Sequence, residues 1–360
     1  MTSQLSAADL DCASQTQWNA YADDPGPLVF LVGCQRSGTT WLHQQLAHSG
    51  AFRYLSAYDV FADARGTLVQ DHLRDRKTAA KAAFEAMLAD AAGDRGIDAI
   101  PAQADTPEEY GLVIGDGQLR YDQPDTTPDS LHGLREICAK KALIDGRDRP
   151  LLLKSPPDYP GALPLLASTW PQARFIAIQR HPLATLQSQV NAWRHLVLRP
   201  NPYLLLLERG YRDLFDDPKR RMSQGLFLHS AAGVAWLADS ILRAHLGFVA
   251  WLETHPSANI LTLRYEDMCA DQIAAFERMA RFLGMELPPP TAAPAPRETR
   301  LTPEVLEAYE ARREAFTPFL KRFGYGVGLT GADPTSRREP APPEASNLQP
   351  QGDRQAWATK

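Results

Sequence analysis

Residues Arg36 to Thr40, RSGTT, gather one permanent cation and three hydroxyls around a glycine. Such a group suits a tetrahedral oxyanion. Arg36 offers a charged fork of N–H donors, and Ser37, Thr39 and Thr40 offer neutral ones. The frame is G-x-x-x-x-G, from Gly33 to Gly38. The apolar run LVFLV precedes it, and TTWLHQQLAHSG follows, with Leu42 and Leu46 on one helical face. A strand, a glycine turn and a helix start, in that order, aim backbone N–H groups and a positive dipole end at one point.

Which anion the turn holds depends on what is missing. A Walker-type loop carries Lys directly after its second glycine, then a Ser or Thr for Mg²⁺. Thr39 stands where that Lys would be. A polyphosphate needs both the Lys and the metal. A sulfuryl group carries less charge and is transferred without a metal, so one cation among neutral donors fits it better. A second pair lies far along the chain. Arg180 ends the apolar run RFIAIQR and Ser188 follows eight residues later, about two turns into a helix, so both can face one crevice. Lys154 ends LLLK, where its ammonium projects from the sheet's binding edge.

RSGTTWL, Arg36 to Leu42, resembles the 5′-phosphosulfate loop of the sulfotransferases that use 3′-phosphoadenosine 5′-phosphosulfate. RHPLATLQS resembles their R-N-P…S segment, with His181 in place of the usual Asn. LLLKSPP is similar to their K-S-P pattern, and LRYEDM to their Y-E-D-L segment. Arg at position 36, where cytosolic members usually carry Lys, is closer to the tyrosine-sulfotransferase-like and bacterial members. The resemblance implies donor binding by Arg36, Ser37, Gly38, Thr39, Thr40 and Trp41 at the sulfate end. It implies Arg180 and Ser188 at the 3′-phosphate and Tyr265 near the adenine. It also implies Arg36 and Lys154 as the groups that neutralise charge on the leaving bridge. No metal or flavin is implied.

The proton acceptor is the weak link. Cytosolic members place a His two residues after the Lys, and Pro156 occupies that position. Tyrosine-sulfotransferase-like members use a Glu in the segment after the loop helix. In FRYLSAYDVFADA the matching carboxylate is Asp59, one methylene shorter, with Asp158 and His43 as alternatives. The expected reaction is in-line transfer to a hydroxyl, less readily to an amine, of a small-molecule, glycan, lipid or peptide acceptor. A P-loop kinase using ATP and Mg²⁺, or a non-catalytic nucleotide-binding module, stands as the alternative.

Several elements must position these residues. LVFLV, LLLK, RFIAIQR and NILTLRYED read as strands, most of them apolar on both faces, and helical patterns alternate with them. That alternation predicts an α/β, P-loop-like three-layer domain whose central, mostly parallel sheet is flanked by helices. Ligands then bind at the carboxyl ends of the strands. DRKTAAKAAFEAMLADAA predicts a helix, the stretch 93–129 a looped region, and residues 226–255 one long helix. Residues 1–26 read as an N-terminal extension, 27–328 as the domain, and 329–360, Pro-rich and polar, as a disordered tail. An insertion at about 197–225 is expected as a lid or acceptor pocket, with Tyr203, Leu204 to Leu207 and Tyr211 facing the acceptor.

Composition narrows the function classes. The 360 residues are 44% hydrophobic and 22% charged, enough for a large core. Thirty-eight Lys and Arg against 43 Asp and Glu leave a net charge of -5, which argues against general nucleic-acid binding. Any anion site must therefore be a local cluster of cations. The four cysteines are widely spaced, with no C-x-x-C pair, and suit a reduced cytoplasm. No apolar run reaches the roughly 20 residues of a membrane span, and the first residues do not read as a signal peptide. A cytoplasmic location is expected.

Overall fold

The computed structural model describes residues 21, 24–91, 95, 100–116, 123–256, 259–292 and 300–326. The expected tail and most of the N-terminal extension lie outside these residues.

Five parallel strands form one sheet: β1 (Leu28–Gly33), β2 (Arg53–Tyr54), β3 (Leu151–Lys154), β4 (Arg174–Gln179) and β5 (Ile260–Arg264). Their order is β2-β3-β1-β4-β5. β1 sits at the centre because it is buried along its whole length, as a strand covered on both faces must be. Its side chains alternate between two cores. Leu28, Phe30 and Val32 join the larger one, and Val29 and Leu31 the smaller. β3 and β4 repeat the alternation, with Leu151, Leu153, Phe175 and Ala177 on one side and Leu152, Ile176 and Ile178 on the other. The loop helix (Thr39–His48) and the helix Gln272–Leu283 cover the smaller core through Leu42, Leu46, Phe276 and Met279. The helices Pro182–Leu198 and Ala231–Thr254 cover the larger one. The architecture is the expected three-layer α/β arrangement.

The register brings the chemistry to one edge. Leu31 pairs with Lys154, Gly33 with Ile178 and Gln179 with Arg264. The ends of β1, β3, β4 and β5 therefore emerge together at the carboxyl edge.

Three local departures from the sequence reading have physical causes. The long helix is two, Pro218–His229 and Ala231–Thr254, bent by 78° at Ser230. Ser230 is extended, and its hydroxyl accepts from Gly233 N. A Cβ at residue 233 would lie 2.0 Å from the Phe227 carbonyl oxygen, so glycine permits the corner. The helix Leu131–Asp145 was hidden because Lys141 occupies its buried face. Tyr203 and Tyr211 point into the core rather than towards an acceptor. Tyr203 Oη donates to Glu108, and Tyr211 Oη donates to the Leu196 and Arg199 carbonyls. Leu207 is buried with them, while Leu204, Leu205 and Leu206 pack partly buried against the same core. No single helix among the described residues is long and apolar enough to cross a membrane.

Candidate active site

The turn after β1 is shaped by two left-handed residues, Arg36 at φ 70° and Gly38 at φ 99°. Ser37 N donates to Cys34 O, closing the turn. Holding a non-glycine residue at positive φ costs about 1–2 kcal/mol, so packing around the turn must enforce it. That packing comes from the β4 corner and the helix behind it. Arg180 Nη1 donates to the Arg36 carbonyl at 2.8 Å. Gln189 Nε2 donates to the Gln35 carbonyl at 2.9 Å. Arg36 Nε donates to Ser188 Oγ at 3.3 Å.

Tyr265 closes the other side. Its ring lies against Gly38, where an added Cβ would come within 2.3 Å of Cδ2. The Arg180 guanidinium carbon sits 4.6 Å from the centre of the same ring. Arg36, Ser37, Gly38, Arg180, Ser188 and Tyr265, separated by up to 229 positions, thus form one continuous patch. The loop helix starts without a side-chain cap. Ser37 Oγ is buried with no hydrogen-bond partner. Uncapped N–H groups and an unpartnered buried hydroxyl are what an oxyanion would satisfy. Thr39 is buried beside them and Thr40 is half-buried. Trp41 turns away, donating from Nε1 to Ala292 O.

Lys154 is buried at the end of β3, and its Nζ lies 2.5 Å from Glu109 Oε1. Its charge reaches the loop helix. Burial first, then the Lys154 and Arg95 charges, press the pKa of His43 well below the ordinary imidazole value. His43 is therefore a neutral, enclosed side chain.

The three expected proton acceptors are occupied or enclosed. Asp59 belongs to a capping box, accepting from Ser56 N while Ser56 Oγ accepts from Asp59 N. The same oxygen accepts from Lys141 Nζ at 2.8 Å. Burial opposes ionisation of Asp59, but the Lys141 charge and these hydrogen bonds hold its pKa below the usual value. Asp59 is the N3 partner in the capping box of the helix Ala57–Asp63, and its charge is matched by Lys141. Asp158 is fully buried, accepting from Thr126 N and Oγ1 and from Tyr110 Oη. Burial pushes its pKa up.

Three further residues border these groups, and the sequence reading named only Glu266 among them, as structural rather than catalytic. Gln189 follows Ser188 directly, and only the turn of the helix shows that it grips the loop. Glu109 lies in a stretch expected to be looped, and its Lys154 partner is 45 positions away. Glu266 bridges the corner, accepting from His181 N and from Tyr325 Oη. Glu266 thus serves the frame. A cavity of about 160 Å³, lined by Cys34, Gln35, Pro156, Tyr159, Gln189 and Arg243 among others, opens beside the start of the turn. Burial pushes the Cys34 thiol up to about 12, so it is no nucleophile there.

Comparison with known proteins bears on the family and the fold. The family model described as "Sulfotransferase family" matches residues 27–289. The structure is similar to sulfotransferase STF9 from Mycobacterium avium, with TM-score 0.54 and 18% identity over 87% of this chain and 81% of that one. It is also similar to sulfotransferase STF1 from Mycobacterium tuberculosis H37Rv, with TM-score 0.51 and 17% identity over 86% and 81%. No curated protein sequence matches this chain. With a family match over most of its length and the fold of these bacterial enzymes, the chain belongs to the sulfotransferase family.

Proposed function

We propose that the protein transfers the sulfuryl group of 3′-phosphoadenosine 5′-phosphosulfate to a hydroxyl acceptor by in-line displacement. One observation carries this reading. Arg180 and Ser188, from a strand end and the helix after it, both touch Arg36 in the glycine turn. Two groups of anion donors are thereby held side by side, as a nucleotide charged at both its 5′ and 3′ positions requires. ATP would leave the second group without a partner.

On this reading the uncapped helix start, Ser37, Thr39 and Thr40 receive the sulfate end. Arg36 and Lys154 neutralise charge as the bond to the bridging oxygen breaks. Arg180 and Ser188 take the 3′-phosphate, and Tyr265 lies towards the base. Trp41 belongs to the matched motif, with its indole N–H engaged elsewhere. Positioning and charge stabilisation supply most of the acceleration. The cavity lined by Pro156, Tyr159 and Gln189 gives an acceptor access to the turn.

Calorimetry tests the donor. Adenosine 3′,5′-bisphosphate is expected to bind at least tenfold more tightly than ATP or 5′-AMP in the presence of a metal chelator. ATP binding that equals it, and that requires Mg²⁺, would favour a phosphoryl-transfer enzyme.

A further inference from the structure

We propose that Glu109 is the general base, accepting the acceptor's proton as its oxygen attacks sulfur. This rests on the sulfuryl-transfer reading above. The carboxylates around the ends of β1 and β3 differ in what they already do. Asp59 caps a helix and pairs with Lys141. Glu108 is enclosed, bound to Tyr203 Oη and paired with Arg95. Asp158 is enclosed by Thr126 and Tyr110. Asp125 accepts from Ser155 Oγ. Glu109 differs from all of these. Its side chain is 26% exposed, and it pairs directly with the buried ammonium of Lys154.

The local backbone explains why. Residue 107 bridges to Ser56, Glu108 N donates to Leu55 O, and Tyr110 N donates to Lys154 O. The segment is thereby stitched between the chain after the loop helix and the end of β3. Successive side chains along an extended stretch point to opposite sides. Glu108 turns inward to Tyr203, and Glu109 turns to Lys154. A partly exposed proton acceptor thus stands one contact from the cation assigned to the sulfuryl group. Lys154 faces it from β3, with Glu108 and Arg95 behind it and neutral His43 on the loop helix.

In the step, the acceptor O–H bond breaks and its proton passes to the Glu109 carboxylate. The freed electron pair forms the new S–O bond. The bond from sulfur to the bridging oxygen breaks, and its pair stays on the 5′-phosphate of adenosine 3′,5′-bisphosphate. Glu109 then returns the proton to solvent.

The test compares Glu109→Gln and Glu109→Asp with the parent, following donor turnover on water and on a panel of phenols and primary alcohols. Glu109→Gln is expected to lose 100-fold or more in kcat, within the usual range for a lost general base. The acidic limb of its kcat–pH profile should vanish, while adenosine 3′,5′-bisphosphate binds within threefold of the parent. Glu109→Asp should keep that limb at reduced rate. A Gln variant within threefold of the parent rate would overturn the assignment. So would a Gln variant that loses nucleotide affinity and rate together but keeps the limb, since the carboxylate would then only be positioning Lys154. A parent that does not bind the bisphosphate would instead overturn the donor reading, and the base with it.

Discussion

Asp59 shows how a single side chain can carry two readings. Its type and distance from the glycine turn suit a base, yet three residues earlier stands Ser56, and S-x-x-D before an apolar helical stretch is also a capping box. The local use wins because Lys141, on a helix 82 positions away, arrives to neutralise the charge. Asp59→Asn would leave Lys141 with only Asp145 and weaken the cap. The expected cost is about 2 kcal/mol, a fall in Tm of roughly 3 °C. Differential scanning calorimetry reads it directly, and an unchanged Tm would contradict the assignment. His181 is a second case. It stands where the family commonly has Asn, and its Nδ1 accepts from Leu183 N, so the ring caps the helix after β4 in place of the amide. Asn is a strong N-cap, so His181→Asn is expected to keep the helix, whereas His181→Ala loses about 1 kcal/mol.

At the scale of elements, the strand–turn–helix unit was legible because its signals are local: an apolar run, two glycines, then a helical period. Strands β1, β3, β4 and β5 were legible for the same reason. The two-residue β2 was not, since two residues carry no periodicity. Nor was the Leu131–Asp145 helix, whose buried Lys141 hides its apolar face. The Arg180–Ser188 pair was readable from spacing, whereas Glu109 depends on tertiary stitching that no local pattern encodes. The same packing predicts the effect of Gly38→Ala. The new methyl would meet the Tyr265 ring at a backbone φ of 99° that side chains rarely adopt. Either the ring or the turn must move. Adenosine 3′,5′-bisphosphate affinity is expected to fall at least tenfold, and calorimetry giving the parent affinity would show that the turn does not form the site.

The whole molecule carries a further consequence in its buried histidines. Burial, then the Arg264 charge, lowers the pKa of His181 to about 4. Burial, then His181, lowers that of His245 to about 3. His43 shifts the same way. Each is neutral in the folded state and titrates near 6.5 when unfolded, so protons favour the unfolded chain. Stability is fully present above about pH 6.5. It is lost as pH falls towards 4, at about 1.4 kcal/mol per unit for each histidine. Denaturant melts from pH 7 to 4.5 should show this decline. His181→Asn, which keeps a cap but removes one titrating ring, should flatten it by about one proton. An equally steep decline in that variant would contradict the account.

The convergence of the β4 corner on the glycine turn is tested most directly by calorimetry on Arg180→Ala with two ligands, adenosine 3′,5′-bisphosphate and 5′-AMP. Losing a charged hydrogen-bonding partner costs about 1.5–3 kcal/mol. The bisphosphate is therefore expected to weaken by roughly 10- to 100-fold, while 5′-AMP weakens by a clearly smaller factor, through the lost hold on the Arg36 carbonyl. An equal loss for both ligands, or no loss for either, would contradict a separate 3′-phosphate pocket at Arg180.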